Sequence, residues 1–349
     1  MFAQIQQPVP RDIPLPLPLP EWLLILILVI SFLLHILFVN LMIGGTLLTF
    51  VFEIIGIRNK KYDRLAREIE STVTVNKSLA VVAGVAPLLA INTVYTVYFY
   101  SANALTGYAW ISIIPLLITA FLILYYHKYN WEKFENKKVK HLVILGFALL
   151  ILLFVPLIFL SNINLMLFPE RWAEVKGFFS TLLMSNVIPR YLHFLTGTLA
   201  VTGLFIFWYL GRKKYPVEKN LPGFSREELR IKAYKLTFFA TLSQIIFGPL
   251  LLFTLPWHGV NWNLVYVIIA GVLFAIIAMI ILWREIKNKS TGKRFVVIVI
   301  LISITVLFMG WGRHIYRSNV LTPHQKLMQE RTEEFYKNIE MNKIDSLPK

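Results

Sequence analysis

Cysteine is absent from all 349 residues. That excludes haem attachment through a CxxCH motif, iron–sulfur ligation and disulfides within the chain. Charge is scarce: 15% of residues carry it, where soluble domains average about 25%. Acidic residues are scarcer still, 19 against 35 Lys and Arg, and apart from Glu53 none falls clearly in the middle of an apolar run. A relay of carboxylates for protons therefore has little material. There is no H-x3-H or HExxH pair to hold a metal on one helix. No internal repeat is evident, which argues against the paired halves of many transporters.

What remains is mostly apolar. Hydrophobic residues make up 57% of the chain, with a mean hydropathy of +0.64. Eight runs are long enough to cross a bilayer as helices, at about 20 residues each: 22–57, 78–100, 107–126, 141–162, 187–210, 234–255, 263–283 and 294–312. The net charge of +16 would suit nucleic acid, but its distribution does not. With Lys77, the stretches 58–67, 127–140, 211–235 and 283–294 hold 24 of the 35 Lys and Arg. Alternate loops hold few, so the basic loops lie inside and both termini outside. The expectation is an all-α, polytopic membrane helix bundle in a bacterial or archaeal cytoplasmic membrane. Residues 1–21 form a Pro-rich external arm, 22–312 the transmembrane bundle, and 313–349 an external tail. The first run is too long for one upright crossing and must tilt or project. In the tail, Thr322 and Pro323 predict an N-cap and first-turn proline. The amphipathic helix they start carries Leu327, Met328, Phe335 and Ile339 on one side.

Seven histidines are present. His127 and His141, at the inner ends of their runs, read as interfacial residues, and His324 in the tail reads as solvated. His35, His193, His258 and His314 lie in outer halves or an outer loop. Imidazoles among apolar helices, without cysteine, are what b-type haem needs, because iron takes neutral ring nitrogens from helices facing across a bundle. Arg190 and Tyr191 precede His193, while Arg313 and Arg317 flank His314, and these suit propionates. Gly197, and the Gly44–Gly45 pair beyond His35, would let a flat macrocycle approach. The competing reading is that such histidines merely hydrogen-bond neighbouring helices. For each residue alone the two readings weigh about equally; for His35, His193 and His314 together haem is favoured. Glu53 lies eighteen residues, five helical turns, beyond His35 and shares its face. It either takes protons or is a buried, protonated structural carboxylate.

LHILFVNLMIGG at 34–45, with Glu53 at its offset, closely resembles the first helix of subunit I of cytochrome bd-type quinol oxidases, which reads H-x-L-F-V-P-L-T-x-G. VNKSLAVVAGVAPLLAIN (75–92), RYLHFLTGTLAVTGLFIFWYLGRK (190–213) and GWGRHIYR (310–317) resemble further helices of that family. The resemblance implies that His35 ligates a haem of the oxygen-reducing pair and that His193 ligates the low-spin haem b. Across a one-residue gap, Arg317 takes the place of the family arginine and His314 that of a glutamate ligand to high-spin haem. Other positions depart from the family. Asn92 replaces a glutamate associated with proton delivery. No methionine falls at the outer position of the 263–283 run, since Met279 lies near the inner end; this leaves His258 as the candidate sixth ligand. LPWHGVNWN (255–263) stands where the family has a long quinol-binding loop.

A glutamate-to-histidine exchange favours six-coordinate iron, which carries electrons and binds oxygen poorly. The expectation is therefore a membrane cytochrome b with one to three haems b. It would pass electrons between a quinone pool and an external partner, a c-type cytochrome or a second membrane subunit. His35, His193, His314 and His258 are its candidate ligands, Arg190, Arg313 and Arg317 its propionate partners, and Glu53 its acceptor of quinol protons. Lipid surrounds it and nucleic acid plays no part. The alternatives are a bd-like terminal oxidase subunit reducing oxygen, and a transporter or scaffold without haem.

Overall fold

A computed structural model describes residues 17–289 and 291–345; of the Pro-rich arm, residues 1–16 lie outside that range. The described residues are helical, with 3-10 turns and no strand. Four long antiparallel hairpins account for the bundle. Helix α1 (Glu21–Gly56) packs along α2 (Lys60–Val94), and α4 (Tyr108–Tyr129) along α5 (Lys138–Met166). In the same way α7 (Val187–Gly211) packs on α9 (Arg226–Phe253), and α10 (Trp262–Lys287) on α11 (Phe295–Asp345). Shorter helices α3 (Thr96–Thr106), α6 (Phe178–Leu182) and α8 (Val217–Asn220) fill the ends.

Local sequence explains where several helices begin. Asn59, Ser225 and Asn261 are extended N-caps whose side chains accept from the backbone N–H groups of Lys61, Glu228 and Leu264. Once inside, the helices leave large apolar side chains such as Ile30, Ile114, Ile245 and Ile276 exposed. Lipid covers such surfaces, and a chain with this many is a multi-pass membrane protein.

Among the described residues seven helices are long and apolar enough to cross a membrane. The eighth expected span is broken: Ser78–Val94 and Thr96–Thr106 meet at 112°. The break falls at Tyr95, whose φ of −125° and ψ of 41° leave the helical region. With 11 residues α3 is too short to cross, and it follows the end of α2 that the charge pattern of the loops marks as the outer one. The expected tail helix differs too. Helix α11 runs through 313 without interruption, Pro323 sits inside it, and Thr322 donates to the Ser318 carbonyl instead of capping.

Helix α1 also packs on α7. Thr198 donates to Asn40 Oδ1 at 2.9 Å, and Thr202 to the Asn40 carbonyl at 3.1 Å. Gly44 makes this approach feasible, since a Cβ there would collide with the Thr202 hydroxyl. Its small size therefore serves contact between α1 and α7, and the expected role in admitting a macrocycle is not what it does.

Candidate functional site

At the outer end, His35 turns toward α2. Its Nδ1–H donates to the Ala80 carbonyl at 2.9 Å, which fixes the tautomer and leaves Nε2 as a bare lone pair. Metal-binding histidines are held in this way. Gly84 makes room, because a Cβ there would stand 2.9 Å from the His35 Cε1. His193 lies at the same depth on α7. Both histidines precede the Asn40–Thr198 contact by five residues, about 7.5 Å along their axes.

The His193 carbonyl accepts from Gln244 on α9 at 3.0 Å, while its ring Nδ1 is buried without a protein partner. His314 on α11 shows the same feature: its Nδ1 is buried and unpaired, and its ring lies 5.3 Å from that of Trp311. A buried polar atom left unpaired costs about 1–3 kcal/mol. His324 Nε2 is also buried and unpaired, but its ring is already held by Tyr98, so the His193 and His314 nitrogens are the two that fit a ligand.

Three arginines gather beside them. Arg190 is held by Asn186, which accepts from its Nε at 2.8 Å and is itself clamped to α9 through Leu251 and Thr254. Arg313 lies over the Phe32 ring at 4.6 Å, and Arg317 over Tyr95 at 5.0 Å. The three feel one another's charge, and among the described residues none makes a salt bridge to a carboxylate. Mutually repelling guanidiniums in an apolar setting call for an anion. The residues present thus fit haem on both counts, imidazole nitrogens for iron and cations for propionates.

Other expected residues are placed differently. Tyr191 donates to the Leu153 carbonyl at 2.8 Å, so its hydroxyl is engaged by α5. His258 is exposed on the 3-10 turn Trp257–Gly259, with Glu170 as its electrostatic neighbour. That is no setting for an axial ligand. Asn92 is exposed. His324, expected in solvent, is buried between α3 and the turn Pro169–Glu174, bonded to the Tyr98 hydroxyl at 3.1 Å.

The inner end holds a second cluster. His127 and His141, expected at the interface, are fully buried with rings stacked at 3.5 Å. Glu53 reaches both, with Oε2 3.1 Å from His127 Nε2 and Oε1 2.5 Å from His141 Nδ1. Glu70 lies 2.7 Å from His127 Nδ1. Of these residues only Glu53 stood out in the sequence. The short connection between α4 and α5 was the missed signal, since it sets His127 and His141 opposite one another.

No protein-family model matches the sequence, and no curated protein matches it. The likeness is three-dimensional: the structure of bd oxidase from Geobacillus thermodenitrificans superposes with a TM-score of 0.64. The superposition covers 92% of this chain and 96% of that one, at 12% sequence identity. The chain is an all-α, multi-pass membrane protein with the fold of a bd oxidase subunit.

Proposed function

We propose that this chain is a bd-like membrane cytochrome b that passes electrons between a quinone pool and a redox partner on its outer side. The observation that carries this reading is the outer cluster: His193 and His314 with unpaired buried nitrogens, beside Arg190, Arg313 and Arg317 without a carboxylate. When bound, haem supplies one-electron redox chemistry. His35, His193 and His314 are its proposed axial ligands. The Ala80 carbonyl orients His35, and Gln244 holds the backbone at His193. The arginines offset propionate charge. His258, being exposed, is left out of the ligand set.

Glu53 sits near the end of α1 opposite to His35, with both oxygens held by imidazoles. That placement argues against its taking protons from a quinol at the outer face. For the outer partner we favour a c-type cytochrome. Helix α11 continues beyond the bundle, and His324 anchors the base of that projection.

The fold equally favours a second reading, a bd-like quinol oxidase subunit that works with another membrane subunit. Reduced-minus-oxidised spectra, with and without carbon monoxide, separate the two. Six-coordinate b-type haem that ignores carbon monoxide, with one spectral component lost in each of His35→Ala, His193→Ala and His314→Ala, supports electron transfer. Carbon monoxide binding with cyanide-sensitive oxygen uptake on quinol supports the oxidase. Unchanged spectra in all three variants discard the ligand set.

A further inference from the structure

The inner cluster has a proton inventory that points to a second kind of ligand. His141 Nε2 faces the His127 carbonyl oxygen at 3.0 Å, and that oxygen can only accept, so Nε2 carries a proton. His127 Nδ1 faces both oxygens of Glu70, at 2.8 and 2.7 Å, and carries its proton toward them. In neutral imidazoles the other two nitrogens, His127 Nε2 and His141 Nδ1, are then lone pairs. Both point at Glu53, whose two oxygens are 3.1 and 2.5 Å away. Lone pairs facing a carboxylate repel unless positive charge lies between them. The charge is either two protons shared among Glu53 and the two rings or a divalent cation.

Several features favour the cation. The proton-bearing nitrogens end on a carboxylate and a backbone carbonyl, the two outer partners that most often orient metal-binding histidines. One ligand atom from each of Glu53, His127 and His141 lies within 4.8 Å of the others. The donors come from three helices, α1, α4 and α5, and all are fully buried. Trp131 closes edge-on over both rings, at 5.3 and 4.9 Å. A cleft of 280 Å³ lined by Arg67, Glu70, Lys128, Trp131 and Glu132 lies on the far side of Glu70 and Trp131 from the three donors.

We propose that Glu53, His127 and His141 bind a divalent transition metal ion at the inner end of the bundle, with Glu70 orienting His127. Two imidazoles and a carboxylate suit zinc, and disfavour magnesium and calcium, which prefer oxygen alone. Glu53, His127 and His141 supply one ligand each, which leaves a fourth tetrahedral position for water. The site joins α1 to the α4–α5 hairpin. This inference does not depend on haem at the outer end.

The test is the metal content of the purified full-length protein, measured by mass spectrometry, with haem iron subtracted by pyridine haemochrome. About one zinc per chain is expected. It is lost in Glu53→Gln and His141→Gln and retained in His258→Ala, while Glu70→Gln weakens zinc affinity about 10- to 100-fold. Manganese or non-haem iron at the same ratio, lost in the same variants, also supports the site. Should the variants fail to fold, the wild-type protein still decides. Treatment with 1,10-phenanthroline should lower its melting temperature, and added zinc should restore it with the haem spectrum unchanged. Wild-type protein without metal beyond haem iron, and with a melting temperature indifferent to zinc, overturns the proposal in favour of protons. Equal metal in wild type and variants overturns it also.

Discussion

His35 owes its bare Nε2 to a hydrogen bond from its other nitrogen to the Ala80 carbonyl, and its place to the missing side chain of Gly84. Gly84→Ala should push the ring aside, at a cost of about 1–3 kcal/mol. The expected outcome is a folded protein whose His35-dependent absorption band is shifted or lost, read by difference spectroscopy. The arginines make a second prediction at this scale. Removing one positive charge near haem favours the ferric, more positive state, so Arg313→Gln should lower the midpoint potential. The shift is expected on the order of 50 mV by redox titration. These proposed roles are only half legible in the sequence. The histidines announced themselves as ionisable groups in apolar runs, and the arginines by adjacency. Gly84 gave no sign because a missing side chain matters only for what lies opposite it, and Ala80 gave none because it acts through a backbone carbonyl that any residue would offer.

Helix contacts show where one-dimensional reading stops. Gly44 looks like a seat for a macrocycle and is in fact the point where α1 meets Thr202 of α7. Gly44→Ala should therefore lower the melting temperature, equivalent to about 1–3 kcal/mol. Adding Thr202→Ala, which removes the obstructing hydroxyl, should restore part of the loss, a coupling that independent sites would not show. The break at Tyr95 escaped notice because the residues on both sides are equally apolar, and neither Gly nor Pro marks it. Pro323 misled in the opposite direction. Proline can begin a helix or sit within one, and packing of the preceding residues Tyr316, Val320 and Leu321 carries α11 onward.

Across the whole molecule, alternation of apolar runs and basic loops was enough for the class and for seven of the eight expected spans, while the motifs around His35 and His193 carried the bd-like resemblance, which the superposed fold supports. It was not enough for the inner cluster, assembled from residues 53, 70, 127 and 141 on four helices. Periodicity along a single helix cannot reveal a site whose members are separated by 14 to 88 positions. The structure thus carries two polar centres at opposite ends of an apolar bundle, the outer one proposed for redox chemistry and the inner one for a fixed metal.

Haem content of the isolated chain tests the proposed redox role most directly. Purified from haem-replete cells, the polypeptide should show a b-type pyridine haemochrome with at least about one haem per chain, and His193→Ala should remove part of it. A colourless preparation that is folded by circular dichroism would contradict the redox reading and leave the outer histidines and arginines as binders of some other anion.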